Sequence, residues 1–147
     1  MDDSNEKICV NPTISFLHPC EVAILNSILE LGADYRVIKE FISSFGVENA
    51  DRGMYMEAVC QGIDIVLEGY RDTLTQLEKE MMYDGDAFPL SRVQHMLSPH
   101  RHVLRYLVKL VTQLEHDQPR GVMILDSVYR ASSCGVADVA VALRQAQ

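Results

Sequence analysis

Five histidines, four cysteines and an acidic cluster near residue 80 are the groups in this 147-residue chain whose types could do chemistry. Three histidines crowd together as His95, His100 and His102. On a helix His100 and His102 point about 200° apart, so only an extended segment would let them share a metal. His95 and His102 are seven apart and nominally on one face, but no carboxylate or thiol falls between them at ligand spacing. No metal site and no cofactor is expected. Cys9, Cys20, Cys60 and Cys134 are too dispersed for a zinc knuckle. Cys60 lies in an apolar helical stretch and reads as a core thiol. A Cys–His nucleophile pair needs only proximity in space, yet the sequence has no Gly-rich nucleophile turn beside any Cys or His. The glycines are scattered, without a phosphate loop or a dinucleotide fingerprint. Glu78, Glu80 and Asp84, with Lys79 between them, read as a solvated helix face rather than an acid–base pair. The expectation is therefore not an enzyme.

The elements that must position these residues are helical nearly throughout. Pro19, suited to a first helical position, opens a run with Val22, Ile24, Leu25, Ile28, Leu29 and Leu31, and Gly32 is expected to end it. A second helix is expected from Asp34, as N-cap, through Val37, Ile38, Phe41 and Ile42, followed by a loop over residues 43–52. Along 54–82, Val59, Ile63, Val66, Tyr70, Leu74, Leu77 and Met81 step by three and four, winding one apolar stripe along a long helix. Leu67 and Cys60 add a second buried face. Gly62 and Gly69 inside it each weaken a helix by about 1 kcal/mol, unless another helix approaches closely there. The 83–86 segment breaks the run. Ser91 is expected to cap a short helix through Leu97, and Ser98-Pro99 to start one carrying Val103 to Leu114. Asp117-Gln118-Pro119 interrupts, a further helix holds Val122 to Tyr129, and a last one carries Val136, Val139, Ala140 and Leu143. No segment alternates with period two. The fold expected is all-α, a bundle of about six to seven helices with one long central helix. Residues 1–15 form a polar leader that need not be ordered, and 16–147 a single helical bundle.

Composition sets the class. The chain is 48% hydrophobic and 23% charged, with five Pro and eight Gly, which is a globular domain rather than a disordered or fibrous one. A net charge of −8, from 13 basic and 21 acidic residues, argues against nucleic acid, whose binding needs a clustered positive field. No apolar run reaches the length of a membrane span, and the acidic start is unlike a targeting peptide, so a soluble intracellular protein is expected.

Several ordered segments resemble one family. These are Phe16-Leu17-His18-Pro19-Cys20-Glu21, then Leu31-Gly32-Ala33-Asp34-Tyr35, then the stretch 53–71 beginning Gly53-Met54-Tyr55-Met56-Glu57-Ala58. Tyr70-Arg71 with Leu74, Leu77, Glu78 and Glu80 follows, and then Gly121 to Tyr129 with Ile124 and Leu125 inside it. In that order they are similar to the N-terminal region of the gamma-tubulin complex components, over about residues 16–144. The chain departs from the family in its polar leader and in Asp84-Gly85-Asp86, where relatives often carry Asp-Pro. It also stops where members continue for several hundred residues.

The resemblance implies a structural scaffold or adaptor in a microtubule-nucleating gamma-tubulin complex, located in the cytoplasm at the cytoskeleton and microtubule-organising centre. In the family, N-terminal bundles pack side by side while a later region contacts gamma-tubulin. The expected partners are therefore other gamma-tubulin complex components or small Mozart-type spindle-organising proteins, with gamma-tubulin reached only indirectly. No nucleic acid and no membrane is expected as a partner. The expected partner interface is Phe16, Leu17, His18, Glu21, Ile24, Leu25 and Ile28. The alternative is a generic cytosolic helical interaction module with unrelated partners.

Overall fold

In the computed structural model, residues 8–11, 13, 14, 16–45, 53–85 and 88–132 are described. They form five helices and no strand: α1 (Pro19–Phe45), α2 (Met54–Asp84), α3 (Leu90–Leu97), α4 (His100–Asp117) and α5 (Val122–Ser132). The all-α reading holds. The count of six to seven is not reached among the described residues, for two reasons. The expected last helix, with Val136 and Leu143, lies outside them. The first two expected helices are one.

Gly32 does not end α1. Ile24, Ile28, Leu31, Tyr35, Ile38 and Ile42 step by four and three straight through it, so one seam faces the core on both sides of the glycine. Leu31, Ile38 and Phe41 are fully buried, and Ile28, Tyr35 and Ile42 pack against them. Continuous burial of that seam outweighs the roughly 1 kcal/mol that a helical glycine costs. Asp34, expected as a cap, is consequently mid-helix and half-buried, where burial raises its pKa. The expected loop also begins later: Ser43, Ser44 and Phe45 are the last residues of α1. Phe45 stacks on Phe41 at 4.6 Å between ring centroids.

The 31-residue α2 is the longest of the five, and it does carry two buried faces. Val59, Ile63, Tyr70 and Leu77 of the expected stripe are buried together with Met56, Cys60 and Leu67. Leu74 and Met81 of that stripe stay exposed. Centrality is not its property alone, because α1 packs against α2, α3 and α4 while α2 packs against α1, α3 and α5. Gly85, at φ 54°, closes α2 by donating its N–H to the Met81 carbonyl. This is a left-handed-side φ that glycine adopts without strain. Ser91 does not cap α3, which starts at Leu90 after an extended Pro89 with no side-chain cap. Five residues of α4 (Leu104, Leu107, Leu110, Val111 and Leu114) complete the core with Ile124 and Val128 of α5. Gln118, left-handed at φ 42°, ends α4 with its N–H on the Leu114 carbonyl, and Pro119 follows.

Candidate interaction surface

The start of α1 is built by its own residues. The N–H of Cys20 donates to His18 Nδ1 at 3.2 Å, and the N–H of His18 donates to Glu21 Oε2 at 2.8 Å. These two bonds are a capping box, with His18 as N-cap, Pro19 at the first helical position and Glu21 at the third. Each satisfies a backbone donor that the helix leaves without a partner. Glu21 also places a negative charge at the positive end of the helix dipole. The segment before it returns along α1, because the N–H of Val10 donates to Asn26 Oδ1 at 2.8 Å.

The seven expected interface residues are therefore brought together, in different roles. Phe16 stands 84% exposed immediately before the cap. His18 and Glu21 are exposed but engaged with the helix end. Leu17, Ile24, Leu25 and Ile28 are half-buried. Ile24 and Ile28 lie along the core seam, and Ile28 touches the core. Leu25 turns away from that seam, onto a flank it shares with Val22 and Leu29, also half-buried. Val22 and Leu29 belong to the same surface, and their i, i+3, i+7 spacing with Leu25 is the signal that identifies it.

Behind this surface, polar links hold the helices in register. Asp64 of α2 accepts from Arg71 Nη1 at 2.9 Å and from Lys39 Nζ of α1 at 3.2 Å, and Arg71 Nη2 also reaches the Asp64 carbonyl at 3.1 Å. The Arg71 hydrogen bond holds the Asp64 carboxyl below the usual carboxylate range. Arg105 of α4 pairs with Glu30 of α1 at 3.0 Å, and Arg92 of α3 with Glu80 of α2 at 3.2 Å. Glu80 thus departs from the purely solvated acidic face expected of it.

His100 of α4 packs against α2. It is half-buried at the first position of α4, edge-on to Tyr70 with centroids 5.6 Å apart, and Tyr70 in turn meets Tyr35 of α1 at 5.4 Å. Its Nε2 lies 2.9 Å from Thr73 Oγ1. The single Thr73 hydroxyl hydrogen goes to the Gly69 carbonyl at 2.9 Å, so Nε2–H donates to Thr73. Burial lowers the His100 pKa. A Cβ on Gly69 would sit 3.9 Å from the His100 ring, an ordinary van der Waals contact, so no close helix approach requires glycine there. Nothing in one sequence announces this pairing, since the partners are 27 residues apart.

The thiols sort by depth. Cys60 is buried among the core residues, and burial pushes its thiol up to about 11, as befits a packing residue. Cys9 and Cys20 are free and exposed, and Cys134 lies outside the described residues. Among the described residues no three His, Cys, Asp or Glu side chains converge as a metal site, and no helix is long and apolar enough to cross a membrane. An open groove of about 830 Å³ between α4 and α5 is lined by Tyr106, Met123, Lys109, Asp126 and Arg130, among others. Asp126 and Arg130 pair with each other at 2.8 Å.

A family model described as the gamma tubulin complex component N-terminal region matches residues 1–145. The chain belongs to this family. It is 32% identical over 149 residues to gamma-tubulin complex component 4 of Homo sapiens and, to the same extent, to that of Mus musculus. Gamma-tubulin complex component 4 of Arabidopsis thaliana is 23% identical over 157 residues. The alignments cover 92% of this chain but 22% of the human and mouse proteins, and 91% against 21% for the plant protein. The chain thus spans about a fifth of the length of the gamma-tubulin complex components it matches.

Proposed function

We propose that this chain is a structural subunit, or the N-terminal bundle of one, in a microtubule-nucleating gamma-tubulin complex, where it scaffolds rather than catalyses. The family match over residues 1–145 carries the reading. Its partners are other gamma-tubulin complex components or small Mozart-type helical proteins, and gamma-tubulin is reached only through them. Its place is the cytoplasmic microtubule-organising centre.

The contact surface is the start of α1: Phe16 and Leu17 ahead of the cap, then Ile24, Leu25 and Ile28, with His18 and Glu21 fixing the angle at which Phe16 is presented. Half-buried apolar residues on a capped, rigid helix suit side-by-side packing against another helical bundle, which needs a preformed apolar stripe with polar edges. The domain is residues 16–147, with 1–15 as a leader.

Size-exclusion chromatography of the full chain with purified gamma-tubulin complex components tests this. Co-migration is expected, and loss of it in Phe16→Asp and Leu25→Asp at unchanged thermal stability. Absence of co-migration at both low and moderate salt rejects the reading. An unchanged elution profile for both variants rejects this surface while leaving the subunit role standing.

A further inference from the structure

The apolar stripe of α2 continues past the residues that the bundle covers. Tyr70 and Leu77 are buried, whereas Leu74 and Met81, seven residues apart on one face, are 39% and 50% exposed, and Met82 beside them is 81% exposed. Glu78 stands among them, four residues after Leu74 and three before Met81. It is exposed and forms none of the ion pairs among the described residues. Charge is as uneven as exposure. The 31 residues of α2 hold seven acidic and two basic side chains, a net −5 of the whole chain's −8. Of the two bases, Arg71 is committed to Asp64, and Lys79 lies about 100° round the helix from Glu78. The last turn of α2 contains no Lys, Arg or His, although the negative pole of a helix dipole favours a cation there.

We infer that this end of α2 docks a basic amphipathic helix of another protein. Leu74, Met81 and Met82 take its apolar stripe, and Glu78 and the negative end of α2 take its Lys or Arg side chains. Leu74 to Met81 spans about 10 Å, two turns of helix, so the partner presents apolar residues at i, i+3 or i+4, and i+7. Unbranched Met side chains adapt to varied apolar neighbours, so shape demands little and charge sets the choice of partner. A second copy of this chain fits badly, because pairing two α2 ends would set one net charge of −5 against another. The same charge disfavours an anionic lipid surface and nucleic acid. This goes beyond the proposed complex: it uses only the exposure and charge of α2, and neither Phe16 nor Leu25 takes part.

Titration of the full chain with a Leu–Lys peptide of about 18 residues, patterned as an amphipathic helix, tests it, read by the methyl resonances of isotope-labelled methionines. Saturable shifts are expected at Met81 and Met82, while Met54 and Met123, which are also exposed, stay unmoved. Met81→Ser and Glu78→Lys, at unchanged melting temperature, should each weaken binding about tenfold, with Met82 as reporter in the first. Phe16→Asp should leave the affinity unchanged, which separates this site from the start of α1. A scrambled Leu–Lys peptide of the same composition, and one with Glu at every Lys, should not saturate the shifts. Absence of saturable shifts at Met81 and Met82, equal binding of the scrambled peptide, or full affinity in Glu78→Lys overturns the inference. Loss of binding in Phe16→Asp overturns it too, by moving the site to α1.

Discussion

From Leu31 onward α1 buries Leu31, Ile38 and Phe41, whereas over residues 19–30 the same helix carries Val22, Ile24, Leu25, Ile28 and Leu29 without burying any of them fully. Composition does not distinguish the halves, since both are rich in Ile and Leu. Position does. The second half is held by α2 through Lys39–Asp64 and Tyr35–Tyr70, while the first is fastened at its start by a capping box, at Asn26 by a hydrogen bond from Val10 and at Glu30 by Arg105 of α4. A helix can thus be rigid for two reasons. Packing makes one half immovable, and local capping makes the other presentable. The half that is capped but incompletely packed is the one that carries the proposed contact surface.

The largest effect expected from this contrast is at Ile38, which is 0% exposed. Ile38→Ala should lower unfolding free energy by about 2–5 kcal/mol in urea melts, the usual range for emptying a core position. Ile24→Ala, one seam position in the uncovered half, should lose less than half as much. Equal losses would erase the distinction between the halves.

Glu21→Ala comes next, at about 1 kcal/mol for the lost half of the capping box. Hydrogen exchange should localise the loosening to the first turn of α1. Glu21→Gln, which keeps an acceptor, should recover most of the stability. Loss spread evenly along α1 would mean that the start of the helix is held by packing instead.

Gly32 lies at the junction of the halves, exposed, with nothing within 4 Å of where a Cβ would stand. Gly32→Ala should therefore stabilise the chain by about 0.5–1 kcal/mol in thermal melts. Destabilisation would show that the junction needs glycine, and so that the halves move as separate units.

The smallest effect is a pH dependence of the packed half. His100 has a folded-state pKa below its ordinary 6.5. The unfolded chain takes up that proton first, so stability present above 6.5 falls as pH drops below it. Asp64, held below its ordinary 3.8 by Arg71 and Lys39, adds a second loss at still lower pH. Half-buried Asp34, with its pKa raised, works in the opposite sense, its contribution lost as pH rises past 3.8. His100→Gln should remove the first decline and leave the second, as read from melting temperature against pH. One undivided acid transition in both proteins would contradict the assignment.

Much of this molecule is legible in its residue order. The three-and-four stepping of Val59, Ile63, Val66, Tyr70, Leu74 and Leu77 marked the face of α2 on which Val59, Ile63, Tyr70 and Leu77 are buried, and Cys60 and Leu67 its second face. The breaks at Gly85 and at Gln118-Pro119 are where glycine and proline rules put them. Gly32 and Ser91 misled because a local signal weighs about 1 kcal/mol, less than a seam of buried side chains running through it. The expected surface at Phe16 to Ile28 came from resemblance to a family, and the capping role of His18 and Glu21 was not read from it. A capping box beginning with histidine lacks the usual Ser or Thr signature.

What the sequence determined by itself is the helical class and the faces that must be buried, because apolar periodicity is a one-dimensional property of the chain. Which neighbour covers each face belongs to the tertiary structure. His100 meets Thr73 and Tyr70, Arg105 meets Glu30, and Tyr106 meets Ala131 across 25 to 75 residues. Such contacts depend on how whole helices cross, and a crossing is settled by the simultaneous fit of many side chains rather than by any spacing within one of them.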